Sequence, residues 1–146
     1  MSAPAIERWK AIAKSRDAAA LEALLADDVV FTSPVVHTPQ RGKAITLKYL
    51  TAALAVLGGE AFRYGEEWTG ATSAVLEFFT MIDGVEINGA DFIGWNAAGQ
   101  IDRFKVMVRP LKAIQAIHQA MGARLAAGSA PGGAGRTSTG QAVPPS

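Results

Sequence analysis

The first part of the chain combines helical patterns with a single short strand. Apolar residues recur at helical spacing in two stretches, on either side of a break at Ser15 to Asp17. They are Ile6, Trp9, Ile12 and Ala13 in the first stretch and Leu21, Leu24 and Leu25 in the second. Asp27 and Asp28 end the second helix, and residues 29–32 predict a strand. Residues 42–57 predict a third helix, whose two apolar stripes indicate cover on more than one side.

Strand patterns dominate the second part of the chain. Residues 62–68, 73–82, 85–96 and 101–109 each favour a strand, and Asp83-Gly84 is a strong two-residue hairpin signal. Pro110 opens a final helix whose apolar stripe runs to Leu125. Because the helices are grouped apart from an antiparallel meander, we predict an α+β fold with helices on one face of the sheet.

Asp91 lies on the apolar face of a predicted strand. Side chains alternate between faces along a strand, so Asp91 shares its face with Val85, Ile87, Gly89, Ile93 and Trp95. An ionised carboxylate is costly to bury without partners, which makes this acid a candidate site residue. The structural alternative is an anchor, in which Asp91 accepts a hydrogen bond from Trp9 and fixes the first helix to the sheet.

Composition narrows the possible functions. The chain has 146 residues, 49% of them apolar, which suffices for one domain with a core. Its 14 basic and 13 acidic residues are scattered, and no basic block alternates with aromatics, so we expect no nucleic-acid partner. The lack of cysteine excludes disulfides, zinc–thiolate sites and thiol nucleophiles within this chain. The two histidines are too far apart to suggest a metal site, and we expect no cofactor.

The apolar runs and the ends of the sequence give expectations about location and domain limits. No apolar run approaches the ~20 residues of a membrane-spanning helix, and the N-terminal residues lack the pattern of a signal peptide. We therefore expect a cytoplasmic protein without a membrane partner. Residues 128–146 are rich in Gly, Pro and Ser with a single charge at Arg136, which predicts a disordered tail after a domain of residues 1–127.

The strand at residues 73–82 is apolar on both faces, which indicates that both faces are covered. One face fits the core and the pocket. The other face carries Val75, Phe79 and Met81, and Phe92 extends it on the neighbouring strand. Since a monomer rarely exposes such residues together, we predict a homodimer formed through this sheet face.

Three stretches carry a family resemblance: Ala26 to Pro34, Gln40 to Ile45 and Asp91 to Ile101. With the order of elements, they resemble the SnoaL-like family of the nuclear-transport-factor-2-like superfamily over about residues 3–127. The resemblance implies a cone-shaped, strongly bent, mostly antiparallel sheet that wraps the N-terminal helices around a pocket, frequently in a dimer. The run Val106 to Leu111 is similar to bacterial members that continue into an extra C-terminal helix.

The superfamily includes ketosteroid isomerases, epoxide hydrolases, polyketide cyclases, dehydratases and non-catalytic binding modules, so the resemblance specifies the fold better than the function. By this resemblance Asp91 occupies the position of the neutral acid of ketosteroid isomerase, Ser33 that of its base and Trp9 that of its tyrosine. A serine needs an activating partner to act as a base, and an indole cannot transfer a proton. The Asp–Arg–Asp set of the epoxide hydrolases is also incomplete, because Arg103 and Arg109 face away from the apolar side. We therefore expect neither activity.

Together these features predict an apolar pocket for a small hydrophobic or polycyclic molecule. Its predicted walls are Tyr49, Leu76, Phe78, Ile87, Gly89, Ile93, Val106 and Val108. Asp91 and Trp9 form the polar end, with Ser33 and His37 nearby. If the protein is an enzyme, His37 is the base and a neutral Asp91 donates to a developing oxyanion, in proton transfer of the cofactor-free isomerase or cyclase type. The alternative is a non-catalytic ligand-binding or dimerising module, since no complete catalytic set is visible.

Three of the predicted site residues also have a simpler structural interpretation. His37 lies in a loop, where a histidine is often solvated. Ser33 precedes Pro34 and suits a hydrogen bond to its own backbone at a turn. Tyr49 could fill the core rather than line the pocket. The sequence leaves both interpretations open for each residue.

Overall fold

The structure is a computed structural model that describes residues 3–128. In this part of the chain there are four helices: α1 (Pro4–Ser15), α2 (Ala18–Leu24), α3 (Lys43–Leu57) and α4 (Leu111–Gly128). The strands are β1 (Leu25–Thr32), β2 (Gln40–Arg41), β3 (Arg63–Thr69), β4 (Ser73–Ile82), β5 (Val85–Trp95) and β6 (Ile101–Arg109). The predicted α+β class and the extra C-terminal helix are confirmed. The disordered tail was predicted for residues 128–146; Gly128 is the last residue of α4, and the rest of this stretch lies outside the described residues.

The strands form one open sheet in the order β2-β1-β6-β5-β4-β3. Every neighbouring pair is antiparallel except β1 and β6, which run parallel. The predicted hairpin between β4 and β5 turns at Asp83 and Gly84, whose φ angles are 49° and 81°, a geometry that matches the twist of the strands. Register shifts interrupt the β1–β6, β3–β4 and β5–β6 pairs. Because such bulges bend strands, they curve the sheet around the helices, as the predicted cone-shaped fold requires.

The predicted boundary between α2 and β1 is wrong. We expected Asp27 and Asp28 to end the helix, but α2 ends at Leu24, and both acids lie in β1. The pairing of β1 with β6 shifts register between Leu25 and Val30, so the two exposed acids lie where the strand is irregular. An irregularity of this kind lets consecutive polar residues reach solvent, which a strict alternation does not allow. The stretch predicted as a loop after β1 also contains the two-residue β2.

The core lies between the inner face of the sheet and the helices. The inner face predicted for β5 is confirmed, because Ile87, Asp91 and Ile93 are all buried. Side chains of α1 and α3, among them Trp9 and Leu50, pack against this face in the same hydrophobic cluster. The arrangement places Asp91 under the helices rather than toward solvent.

Within residues 3–128, each helix is too short or too polar to cross a membrane. The cytoplasmic location and the limits expected for the domain stay predictions.

Candidate functional site

Trp9, Tyr64 and Asp91 form a chain of hydrogen bonds inside the fold. The indole Nε1–H of Trp9 donates to the hydroxyl oxygen of Tyr64 over 2.8 Å. That hydroxyl donates in turn to Oδ2 of Asp91 over 2.7 Å. The direct hydrogen bond predicted from Trp9 to Asp91 is therefore wrong, because the phenol of Tyr64 lies between the two side chains. The predicted anchoring of α1 to the sheet is nevertheless present, because the three hydrogen-bonded side chains connect the two elements.

Tyr64 reaches the inner face because β3 carries a bulge. With strict alternation, Tyr64 and Trp68 would share one face of the strand. The pairing of β3 with β4 shifts between Tyr64 and Glu67, so Tyr64 stands beside Phe78 on the inner face and Trp68 turns outward, where it is 52% exposed. Sequence reasoning missed Tyr64 for this reason. The one available signal was Gly65, since an isolated glycine inside a strand pattern often marks a bulge.

Burial governs the protonation of Asp91 and Tyr64. Asp91 is 6% exposed, and burial raises the pKa of its carboxyl group from 3.8 to about 7, although the hydrogen bond from Tyr64 lowers it. Burial, and next the charge of Asp91, raises the pKa of Tyr64 well above 10. At neutral pH Tyr64 is therefore a neutral donor, whereas Asp91 is divided between its acid and its carboxylate.

A small apolar cavity meets the polar chain at Tyr64 and Asp91. Its volume is about 40 Å³, enough for about one to three water molecules. Its other lining residues are Trp9, Ala13, Leu50, Ala53, Leu54, Leu57, Gly58, Phe62, Phe78, Phe104 and Val106. The ring of Phe62 stacks on Phe78 at 5.5 Å and meets Tyr64 edge-on at 5.0 Å, which closes one side of the cavity.

Asp91 offers the cavity a polar group with one free oxygen. Among residues 3–128, Tyr64 alone donates a side-chain hydrogen bond to this carboxyl group, and it does so at Oδ2. The neutral acid can therefore donate to a guest in the cavity, while the carboxylate can accept a proton from it. The arrangement suits binding of an oxygen-bearing molecule or transfer of a single proton.

The structure brings some of the predicted pocket residues together and separates others. Trp9, Phe78, Asp91 and Val106 line the cavity. The remaining predicted wall residues of the sheet do not line it; they are Leu76, Ile87, Gly89, Ile93 and Val108, all buried or half-buried. Gly89 lies directly beneath the ring of Phe78, which therefore stands between this glycine and the cavity.

His37, Ser33 and Tyr49 lie outside the cavity lining. His37 is exposed on the loop between β1 and β2. The hydroxyl oxygen of Ser33 accepts a hydrogen bond from the backbone N–H of Val35 over 3.0 Å, the local turn contact that its simpler interpretation requires. Tyr49 packs against Phe31 at 5.8 Å. The functional roles of all three residues stay predictions.

Metal-binding side chains are not clustered in the part of the chain that the structure describes. Among residues 3–128, no three His, Asp or Glu side chains come together as a set of ligands. The expectations of no metal and no cofactor stay predictions.

Similarity to solved structures places the chain in a family. The crystal structure of a steroid delta-isomerase from Pseudomonas aeruginosa is 36% identical, covers 84% of this chain and 90% of that chain, and superposes with a TM-score of 0.79. An uncharacterized bacterial protein with a cystatin-like fold from Silicibacter pomeroyi is 30% identical over 83% of this chain and 84% of that chain, with a TM-score of 0.77. A polyketide cyclase-like protein from Sinorhizobium meliloti, 14% identical over 73% of this chain and 95% of that chain, shares the fold with a TM-score of 0.59.

Comparison with sequences adds no further assignment, because no protein-family model and no curated protein matches the chain. The predicted family resemblance is nevertheless confirmed by the two structures that are 30% or more identical. The chain belongs to the SnoaL-like family of the nuclear-transport-factor-2-like superfamily.

Proposed function

We propose that the protein binds a small, mostly apolar molecule that bears a carbonyl oxygen, and that neutral Asp91 donates a hydrogen bond to that oxygen. The observation that carries the proposal is the Tyr64–Asp91 pair at the polar end of an apolar cavity. Tyr64 holds one carboxyl oxygen, and the raised pKa of about 7 keeps much of Asp91 protonated at neutral pH. A donor fixed in an apolar cavity interacts more strongly with a developing oxyanion than it would in water.

The size of the cavity limits the guest. A space of about 40 Å³ is too small for a polycyclic molecule, so only a small group such as an acyl or methyl-ketone end fits beside Asp91 without rearrangement. An adjoining cleft of about 490 Å³ shares four lining residues with the cavity and has room for the rest of the guest. The proposal therefore concerns a molecule whose carbonyl end enters the cavity and whose body lies in the cleft.

We further propose that the bound molecule is turned over by cofactor-free proton transfer of the isomerase or cyclase type. In a guest with a β,γ double bond, His37 would take a proton from the α-carbon while Asp91 donates its proton to the carbonyl oxygen, which gives a dienol. Return of the proton from His37 to the γ-carbon, as Asp91 takes back the hydroxyl proton, re-forms the carbonyl and completes the isomerisation. The 36% identical relative is named a steroid delta-isomerase, which supports isomerase chemistry in this family. Because His37 is exposed on its loop, this step requires the loop to approach the cavity.

A second candidate function is binding without turnover, in a ligand-binding or dimerising module. The observation that favours it is the absence of a separate base: among residues 3–128, Tyr64 and Asp91 are the only titratable groups that line the cavity. In this case the hydrogen-bond chain orients a ligand and does not react with it.

Binding and turnover are tested separately with a small methyl ketone and a hydrocarbon of the same shape. If neutral Asp91 is the donor, ketone affinity falls as pH rises through about 7, while Asp91→Asn abolishes this pH dependence and the hydrocarbon shows none. Equal pH profiles for the ketone in both proteins would rule out Asp91 as the donor.

Turnover is measured as deuterium uptake next to the carbonyl in heavy water. Enzyme-dependent uptake that is lost in His37→Ala supports the catalytic form, and uptake at the uncatalysed rate supports binding alone.

A further inference from the structure

The cavity and the cleft beside it share a wall. Ala13, Gly58, Phe62 and Tyr64 line both spaces. The cleft is formed by the C-terminal half of α1, the connection from α3 to β3 and the start of β3. A guest that reaches Asp91 from this side must therefore pass through the cleft.

The charged residues that line the cleft are mainly basic. Its charged residues are Lys10, Lys14, Arg16, Arg63 and Glu60. Lys10 is paired with Glu67 at 2.6 Å, and the guanidinium of Arg63 lies over the ring of Phe79 at 4.2 Å. Lys14 and Arg16 have no ion pair within residues 3–128. Their charges are therefore available to a guest in the cleft.

The guanidinium of Arg16 packs on Gly58 at the border between the cavity and the cleft. A Cβ added to Gly58 would lie 2.8 Å from Nη2 and 3.2 Å from Cζ of Arg16, so the guanidinium packs directly on this glycine. Gly58 lines both the cavity and the cleft. The backbone of Arg16 is left-handed at the end of α1, with φ 59°, where glycine or asparagine is more usual. An arginine thus stands at a position that favours a smaller residue, and its side chain ends at the mouth of the cavity.

We propose that this mouth selects a guest with an anionic group, so that the bound molecule is a keto acid: the ketone end meets Asp91 and the acid group meets Arg16, assisted by Lys14. The planar guanidinium matches the two oxygens of a carboxylate, and it is less strongly hydrated than an ammonium group. The inference rests on the proposed function, because it concerns the outer end of the same guest.

The test uses linear methyl-ketone acids of increasing length, each paired with its primary amide. Binding is followed by the NMR signal of the Trp9 indole N–H at low ionic strength, so that only guests that reach the hydrogen-bond chain are counted. At the best length we expect the acid to bind about tenfold more tightly than its amide. Arg16→Gln should abolish that preference, and Arg16→Lys should restore part of it. Arg124→Gln, which removes an exposed charge on α4, should leave it unchanged.

The outcomes separate the two proposals. Equal affinity of acid and amide at every length overturns the inference and leaves the proposed function standing, because the ketone end still binds. A preference for the acid that survives Arg16→Gln overturns the assignment to Arg16. Failure of every pair to perturb the Trp9 signal overturns the proposed function and this inference together.

Discussion

At the scale of single residues, Tyr64 satisfies two buried groups with one hydroxyl. It accepts from the indole of Trp9 and donates to Asp91, so both polar atoms are paired inside an apolar surrounding. Its removal would leave a buried donor and a buried acid without their partner. An unpaired buried polar group costs about 1–3 kcal/mol.

Tyr64→Phe is therefore expected to lower the free energy of unfolding by about 2–4 kcal/mol and to raise the pKa of Asp91 further, because it removes the hydrogen bond that lowers that pKa. Urea denaturation measures the first effect and NMR titration of the Asp91 carboxyl carbon the second. Tyr49→Phe is the matched control: the hydroxyl of Tyr49 has no hydrogen bond within the described residues, so the change should be within about 0.5 kcal/mol. Equal effects of the two substitutions would contradict the role of Tyr64.

Asp91 also makes the stability of the protein depend on pH in an unusual direction. Its pKa is about 7 in the folded protein and near 3.8 when exposed, so between these pH values the folded state holds a proton that the unfolded state has lost. Stability from this group is thus fully present below pH about 4 and is lost as pH rises to about 7, by on the order of 4 kcal/mol. Asp91→Asn should remove this slope from the unfolding free energy measured by urea. Parallel pH profiles for the two proteins would show that Asp91 is not the titrating group.

At the scale of elements, the alternation of side chains predicted which face of a strand is buried, except in strands that carry a bulge. The alternation of β5 is regular from Val85 to Ile93, so Asp91 was correctly predicted on the buried face. The bulge in β3 breaks its alternation, and Tyr64 was missed as a result. The irregular part of β1 displaced its predicted start in the same way. Patterns of side chains predict regular strands, whereas bulges depend on pairing with strands that are distant in sequence.

Gly89 shows why β5 needs a small residue opposite β4. A Cβ at this position would overlap the ring of Phe78 and approach the Met107 carbonyl oxygen at 2.7 Å, and Phe78 in turn stacks on Phe62 beside the cavity. Gly89→Ala should therefore lower the unfolding free energy by about 1–3 kcal/mol and weaken ketone binding, as the displaced ring fills the cavity.

Gly122→Ala is the control for that substitution. Gly122 lies in α4 with no atom near the added Cβ, so alanine should stabilise the helix by up to about 1 kcal/mol. Thermal unfolding compares the two variants, and ketone affinity should change only in Gly89→Ala. Destabilisation by both substitutions, or by neither, would contradict the packing described for Phe78.

At the scale of the whole molecule, the outer face of the sheet exposes several large apolar side chains. It carries the residues predicted for a dimer, namely Val75, Phe79, Met81 and Phe92, and the structure adds Trp68 and Met107, each 52% exposed. Trp68, Val75 and Phe92 form one row across three strands, and the adjacent row ends at Met107. Charged side chains flank these residues, with Lys105 at the end of the first row and Glu77 at the start of the second. Exposed aromatic and methionine side chains edged by charges are typical of a protein interface.

We propose that two copies of the chain associate through this face, and an acidic substitution on it tests the proposal. Met107→Glu places a charge on the patch without disturbing the core, so the dimer dissociation constant should rise about tenfold or more, as light scattering after size-exclusion chromatography would show. Leu111→Glu makes the same type of change at a residue that is 69% exposed at the start of α4, outside the patch, and should leave the dimer intact. A wild-type protein that is monomeric at micromolar concentration would refute the proposal. Of the two substituted residues, only Met107 lies on the outer face of the sheet. Loss of the dimer in both variants would therefore contradict an interface confined to this face.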